Sequence, residues 1–314
     1  MIRITAEETD QVEGKITRGL GGIYNIRLSS GENVSASARG VFRKAKITPT
    51  VGDNVSISSS GDPDVPYVID RINKRKNSLI RPPVANVDVL ILCFAVKDPE
   101  PDLKLLDKML IICGILDIKP CIIFTKCDLN DSYGQSLFET YKNAGFDCFR
   151  SGIDEDIDPQ KILETGGKGA TFGFAGPSGV GKSTLCNGLL EGDVMKVGDI
   201  SDRLKRGKHT TRHVELFDFF GGFIMDTPGF TSLSLFELGV EYKSVILGYP
   251  EISKEGENCR FDDCRHASER DCAVTANVGV TIDQGRYDRY REFEEELYQK
   301  RNEYTGRKKI LYEQ

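Results

Sequence analysis

The chain has 314 residues, 39% hydrophobic and 29% charged, which is a soluble globular composition with room for two or three domains. A net charge of −6 excludes a uniformly basic protein that coats nucleic acid, while leaving room for a local basic face. The N-terminus lacks the charged start and apolar core of a signal peptide, and the longest apolar run, residues 89–96, is too short to span a bilayer.

Residues 1–73 carry short alternating segments at 14–16, 23–28, 33–36 and 54–57. Gly21-Gly22, Ser30-Gly31, Gly52-Asp53 and Gly61-Asp62-Pro63 separate them. Short strands at this spacing predict a small β-barrel of the OB type, a class that often binds oligonucleotides. Arg39, Arg43, Lys44 and Lys46 form a basic cluster within it, read either as an RNA-facing patch or as a solvated loop. A basic linker at 71–83, ending in Pro82-Pro83, marks a domain boundary.

Beyond the linker, residues 87–96 read as a buried parallel strand. Leu103, Leu106, Leu110 and Cys113 recur at helical spacing. A second strand at 121–125, a helix at 136–144, a third strand at 148–150 and a fourth at 170–175 come next. This alternation predicts a doubly wound α/β sheet.

The fourth strand feeds Gly176-Pro177-Ser178-Gly179-Val180-Gly181-Lys182-Ser183-Thr184, a match to G-x-x-x-x-G-K-[ST] with a helix behind it. Such a loop turns backbone N–H groups onto phosphates. Lys182 would reach the β- and γ-phosphates and Ser183 would bind Mg²⁺. Asp226-Thr227-Pro228-Gly229 ends another apolar segment. Asp226 occupies the position that supports Mg²⁺, and Gly229 can approach the γ-phosphate without a Cβ. Thr125-Lys126-Cys127-Asp128 closes the second strand and fits the [NT]-K-x-D element of GTPases. Asp128 would accept from both N1–H and N2–H of guanine, a donor pair adenine lacks, which disfavours an ATPase or kinase. Alone this element is weak, because an Asp at a strand end is often a helix cap.

The base-reading element precedes the phosphate loop, the reverse of the ordinary order, so the G domain is expected to be circularly permuted. The chain then leaves the G domain just after Asp226-Thr227-Pro228-Gly229, and the segment beyond that point is pulled by the nucleotide switch. Residues 201–213 are polar, basic and without periodicity, and occupy the place of switch I. Thr210 and Thr211 are both candidates to join Mg²⁺, and the Arg and Lys residues suit RNA. The position after Gly229 is Phe230, which cannot orient water as a Gln would, so His209 is the candidate for that role.

Cys259, Cys264, His266 and Cys272 form a Cys₃His set within one short stretch, expected to hold one structural zinc with no open position. The chain's nine cysteines include Cys93, Cys121 and Cys186 in apolar segments, as in a reducing, cytoplasmic protein. A final helix reads over 285–304, with Tyr290, Phe293 and Leu297 on one face and Glu294, Glu295 and Glu296 running past it.

These motifs, together with Val51-Gly52-Asp53-Asn54-Val55, Arg75-Lys76-Asn77, Lys208-His209-Thr210-Thr211 and Cys259-Arg260-Phe261-Asp262-Asp263-Cys264-Arg265-His266, resemble the circularly permuted ribosome-biogenesis GTPases called RsgA or YjeQ. The resemblance spans nearly the whole chain. It implies an OB-fold barrel (1–73), a permuted GTPase domain (74–240) and a zinc-binding helical module (241–314). It also implies GTP and GDP as ligands, with hydrolysis stimulated by the small (30S) ribosomal subunit late in its maturation. The expected partner is that subunit and its rRNA, with no membrane, and the protein is expected to act as a monomer. The family's His at position 209 supports the water-orienting role. The alternative is an RNA- or ribosome-binding protein whose nucleotide is mainly a structural or regulatory switch. Three departures stand out. Glu269-Arg270-Asp271-Cys272 replaces the family's Glu-Pro-Gly-Cys, Thr125 stands where many members have Asn, and Thr210-Thr211-Arg212 replaces Thr-Thr-Thr.

Overall fold

The computed structural model describes residues 11–45, 47–80, 83–153, 157–192, 214–226 and 234–304. Strands β1 (Val12–Leu20), β2 (Ile23–Leu28), β3 (Asn33–Ala38), β4 (Asn54–Ser59) and β5 (Tyr67–Ile72) close in the order β1-β2-β3-β5-β4. Alternation turns Ile16, Ile26, Val34, Val55, Ile57 and Ile69 into the barrel. This is the expected OB-like arrangement. Arg43 and Lys44 of the basic cluster lie on a short helix, α1 (Gly40–Lys44), whose Phe42 enters the core. Arg39 at its foot bonds Asp70 at 2.5 Å, and Lys44 stays exposed.

The expected linker has structure of its own. β5 extends to Ile72, and β6 (Ser78–Ile80) pairs with β7 (Pro83–Ala85). Asn77 Nδ2 donates to Val87 O at 2.8 Å, and Asn86 Nδ2 donates to Gly52 O at 2.9 Å. Gly52 takes a φ of +90°, and a Cβ there would lie 2.0 Å from Ala85 O, so only glycine lets the barrel turn meet this hairpin. Arg75 donates twice to the fully buried Asp53, at 2.7 and 2.9 Å. Lys76 reaches Asp88 at 2.9 Å and Arg71 reaches Ser56 at 3.1 Å. Arg75 and Lys76 of the linker are therefore paired with carboxylates of the protein itself.

The second layer is a six-stranded sheet of β8 (Val89–Ala95), β9 (Lys119–Thr125), β10 (Asp147–Arg150), β11 (Thr171–Ala175), β12 (Phe217–Phe219) and β13 (Gly222–Asp226), in the order β10-β9-β8-β11-β13-β12. All neighbours are parallel except β12 with β13. β8 is buried throughout, with Leu90, Leu92 and Phe94 in one core and Val89, Ile91 and Cys93 in the other. Helices α2 (Leu103–Leu116), α3 (Asp131–Asn143), α4 (Pro159–Gly166) and α5 (Lys182–Gly192) connect or follow the strands. α3 starts five residues before the expected 136, because Asn130 caps it by accepting from Tyr133 N. Cutting the chain before β11 and joining the exit of β13 to β8 would give the ordinary order with the sheet unchanged, as circular permutation requires.

After β13 the described chain resumes at 234. The 3-10 segment Tyr242–Gly248 lies on α2, followed by α6 (Pro250–Gly256), α7 (Ala273–Asn277) and α8 (Gln284–Gln299). A Cβ on Gly114 would fall 2.5 Å from Leu247 O, and one on Gly248 would fall 2.7 Å from Ile111 N, so the two backbones touch. Beside them lies a buried ionic cluster. Arg286 Nη1 donates to Asp107 at 2.6 Å, Arg286 Nε to Glu251 at 2.8 Å and Arg289 Nε to Asp107 at 2.5 Å. The Tyr141 and Tyr249 hydroxyls also donate to Asp107, at 2.8 and 3.2 Å. Two arginines face two carboxylates, so the cluster carries no net charge.

Glu294 does not run past α8 on an open face. It is buried and receives Arg265 at 2.6 and 2.8 Å and Arg291 at 2.6 Å. Its partners lie far away in the sequence or on the adjacent turn, which a helical pattern does not reveal. Among the described residues no helix is long and apolar enough to cross a membrane.

Candidate nucleotide site and metal centre

β9, β8, β11 and β13 are parallel neighbours, so the segments leaving their C-terminal ends gather on one edge of the sheet, where ligands of open α/β sheets bind. The phosphate loop leaves β11. Gly176 has a φ of +139°, and a Cβ there would sit 2.1 Å from Cys93 O, so the loop's first turn presses against β8. Val180 is buried and anchors the loop's middle. Lys182 Nζ donates to Gly176 O at 3.0 Å and Pro177 O at 2.7 Å, which curls the loop around its ammonium. Ser183 and Thr184 begin α5 exposed.

The base-reading element leaves β9. Thr125 Oγ1 donates to Val180 O at 2.6 Å in the interior, binding this strand end to the phosphate loop. Threonine in place of the family's frequent Asn thus still makes a polar tie. Lys126 adopts a left-handed backbone and its Nζ donates to Asp98 O. Asp128 is exposed in a single 3-10 turn, Cys127–Leu129. The helix-cap reading of Asp128 does not hold, since Asn130 caps α3.

One part of this corner is not evident from sequence. Residues 151–153 lie against Asp128, with Ile153 N donating to Asp128 Oδ1 at 3.2 Å. Ser151 N donates to Phe124 O at 2.9 Å and Cys127 N to Ser151 O at 3.0 Å, so the loop is fastened to β9. A Cβ on Gly152 would come 3.0 Å from Asp128 Oδ1. The available signal was a Ser-Gly pair directly after a strand.

Asp226 ends β13 with its backbone paired to Phe174 of β11. His209, Thr210, Thr211, Gly229 and Phe230 lie outside the described residues.

The four metal donors converge. Cys259 Sγ is 3.5 Å from His266 Nδ1 and 3.8 Å from Cys272 Sγ, and Cys272 Sγ is 3.6 Å from His266 Nδ1. A tetrahedron with Zn–S near ~2.3 Å and Zn–N near ~2.05 Å has S···S edges of about 3.8 Å and S···N edges of about 3.5 Å. All four ligand atoms lie within 4.8 Å of one another. The donor set fits zinc.

Burial, opposed by the His266 amide and reinforced by the Cys272 and Cys259 sulfurs, pushes the Cys264 thiol up to about 12, so a bare cluster resists full deprotonation. Burial also lowers His266. Cys272 Sγ accepts from Thr275 N at 3.5 Å, and Tyr287 Oη donates to His266 O at 2.8 Å, which orients the ligand loop. The departure at 269–272 is visible here. Asp271 takes a φ of +62°, at the position where the family has Gly. Glu269 compensates by accepting from the backbone of Arg265, Ala267 and Ser268.

Known proteins share this architecture. The RsgA GTPase family profile matches residues 72–236 and the RsgA N-terminal domain profile matches 13–64. The Small ribosomal subunit biogenesis GTPase RsgA of Geobacillus sp. (strain WCH70) is 39% identical over 297 residues, covering 93% of this chain and 99% of the relative. The chain belongs to the RsgA GTPase family. The RsgA of Bacillus subtilis (strain 168) is 38% identical over 302 residues, with 93% and 99% covered. The crystal structure of YloQ, described as a circularly permuted GTPase, matches with a TM-score of 0.75 and 33% identity over 95% of this chain and 99% of that one. YjeQ from Thermotoga maritima gives 0.74 and 28%, covering 95% and 100%.

A profile described as a 50S ribosome-binding GTPase matches 171–311, beginning at β11, where an unpermuted G domain would start. As an RsgA GTPase, this chain is a GTP hydrolase with an OB-like barrel, a permuted G domain and a Cys₃His cluster. The family implies GTP, GDP and Mg²⁺ as its ligands.

Proposed function

We propose that this GTPase works on the small ribosomal subunit, reads guanine through Asp128, and uses hydrolysis to time a late step of that subunit's assembly. The supporting observation is the Thr125–Val180 bond, which holds the base-reading turn beside the phosphate loop while Asp128 stays exposed and free of capping duty. Lys182 and the loop amides hold the phosphates. Ser183 and Asp226 would hold Mg²⁺, which would supply neutralisation of the phosphate charge. Gly229 would sense the γ-phosphate, Thr210 or Thr211 would join the metal side, and His209 would orient water, a role the Phe230 side chain cannot fill. Cys259, Cys264, His266 and Cys272 hold one zinc ion, which closes the knuckle and leaves no open coordination position.

The barrel (1–73), G domain (74–240) and zinc module (241–314) divide the work, with the barrel and the module holding rRNA. The small subunit is preferred over the large one because relatives covering 93% of the chain carry that name, whereas the 50S description belongs to a partial match. The deciding measurement is GTP turnover of the protein alone, with small subunits and with large subunits. Stimulation by small subunits alone is expected. His209→Ala should keep nucleotide and subunit binding but lose that stimulation, and Asp128→Asn should weaken GTP binding by the ~1.5–3 kcal/mol of a charge-assisted bond. Equal turnover in all three mixtures would replace this reading by the one in which nucleotide is only a regulatory ligand.

A further inference from the structure

The hairpin β12–β13 has the barrel resting on it. Leu216 N donates to Thr17 O at 2.9 Å, and Arg18 and Glu215 form an antiparallel bridge backed by an ion pair at 3.9 Å. Arg27 of β2 is ion-paired with Asp218. Lys15 of β1 lies over the Phe223 ring, 5.5 Å from its centre, and donates to Thr171 Oγ1 at 3.1 Å. Every one of these contacts comes from the β1–β2 ribbon.

The open end of the same hairpin faces the nucleotide edge. Residue 214 comes directly after the segment read as switch I, and Asp226, the expected Mg²⁺-side residue, ends β13 beside Phe174 of the phosphate-loop strand. A cleft of 680 Å³ lies beside these contacts, lined by Glu13, Lys15, Arg27, Asn54, Asp218 and Phe223. Val214 and Leu216 are buried in the same apolar cluster as Ile16 and Ile26 of the barrel, so a displacement of 214–219 reaches the ribbon through packing as well as through ion pairs.

The route after β13 is different. Residues 242–248 are clamped on α2 by backbone contact and by the buried Arg286–Asp107 cluster. A pull from residue 226 meets a fixed body there.

We infer that residues 214–219 carry the nucleotide state of the G domain to the barrel, while the zinc module stays fixed to α2 in both states. The inference rests on the proposed nucleotide site. A ligand moves an equilibrium only by the difference in its affinity for two arrangements, and the ribbon–hairpin contact ties the barrel to the strand that follows the expected switch I.

Hydrogen exchange of the full-length protein with GDP and with a non-hydrolysable GTP analogue tests this. Peptides over β1 and 214–219 should differ between the two states by about fivefold or more in exchange rate, the lower end of ordinary allosteric coupling. Peptides over 242–256 and 284–299 should not differ. Arg18→Glu with Arg27→Glu sets four acids against one another across the contact and should erase the difference in β1. Adding Glu215→Arg and Asp218→Arg should restore it, which separates lost coupling from misfolding. Protection of the phosphate loop by either nucleotide checks the underlying site. If the phosphate loop is unprotected, the nucleotide reading fails. If it is protected while β1 shows no difference, or if the zinc module responds instead, the coupling inference is overturned.

Discussion

Arg286 and Lys15 are both cations at a boundary of the G domain, and they are treated differently. Arg286 is fully buried, and although burial works against its charge, Asp107 and Glu251 outweigh that and hold its pKa well above the ordinary arginine value. Lys15 is largely buried too, but burial wins over the attraction of Asp88 and its pKa is lowered. The first cation is locked by carboxylates from two elements, and the second rests on a hydroxyl and a ring beside an open cleft. One cation is held as in a protein interior and the other as at a surface contact. The depth of the partners, not the number of polar contacts, separates them, because ion pairs near solvent contribute little.

A handful of substitutions break or sharpen this contrast, the largest effect first. Cys264→Ser removes a zinc ligand and most of the ~10–16 kcal/mol by which a structural zinc stabilises a small domain. Metal analysis should show loss of zinc and exchange should rise over 257–277, yet α8 should stay protected, since its hold on α2 does not pass through the knuckle. Asp107→Ala leaves Arg289 without a carboxylate and Arg286 with Glu251 alone, and should cost about 3–5 kcal/mol in urea unfolding. The same measurement on Arg18→Ala, across the loose boundary, should show less than about 1 kcal/mol. Gly52→Ala forces a Cβ onto Ala85 O and should cost about 1–3 kcal/mol, seen as early melting of the barrel alone. Asp271→Gly should raise stability slightly, by up to about 1 kcal/mol, because it relieves a left-handed backbone while losing only the exposed Arg260–Asp271 pair.

The parts legible in the sequence are those whose chemistry is local. A phosphate loop, a T-K-x-D turn and a Cys₃His knuckle each need their residues within a few positions, so spacing alone exposes them. The barrel and the central strands were legible because alternation and continuous apolar runs are local too. The features that escaped are held by distant partners. Asp107 sits mid-helix and looks like a solvent-facing acid until Arg286, Arg289, Tyr141 and Tyr249 gather on it. Arg75 and Lys76 look like part of a basic linker until Asp53 and Asp88 appear opposite them. Glu294 obeys the same rule. Within the nucleotide site, the loop at 151–153 was invisible because it acts largely through backbone atoms.

The permuted order also bears on how the chain is made. β8 is apolar on both faces and lies at the centre of the sheet, yet its partner β11 comes only after residues 96–170. At synthesis rates of about 5–20 residues per second, that stretch takes on the order of 4–15 s, during which β8 presents an unpaired edge. In the unpermuted arrangement the phosphate-loop strand is translated first and waits for β8 instead. Here the emerging half-sheet β8-β9-β10 must be kept from pairing with other nascent chains until the phosphate loop arrives, so its folding is the step most exposed to crowding on polysomes.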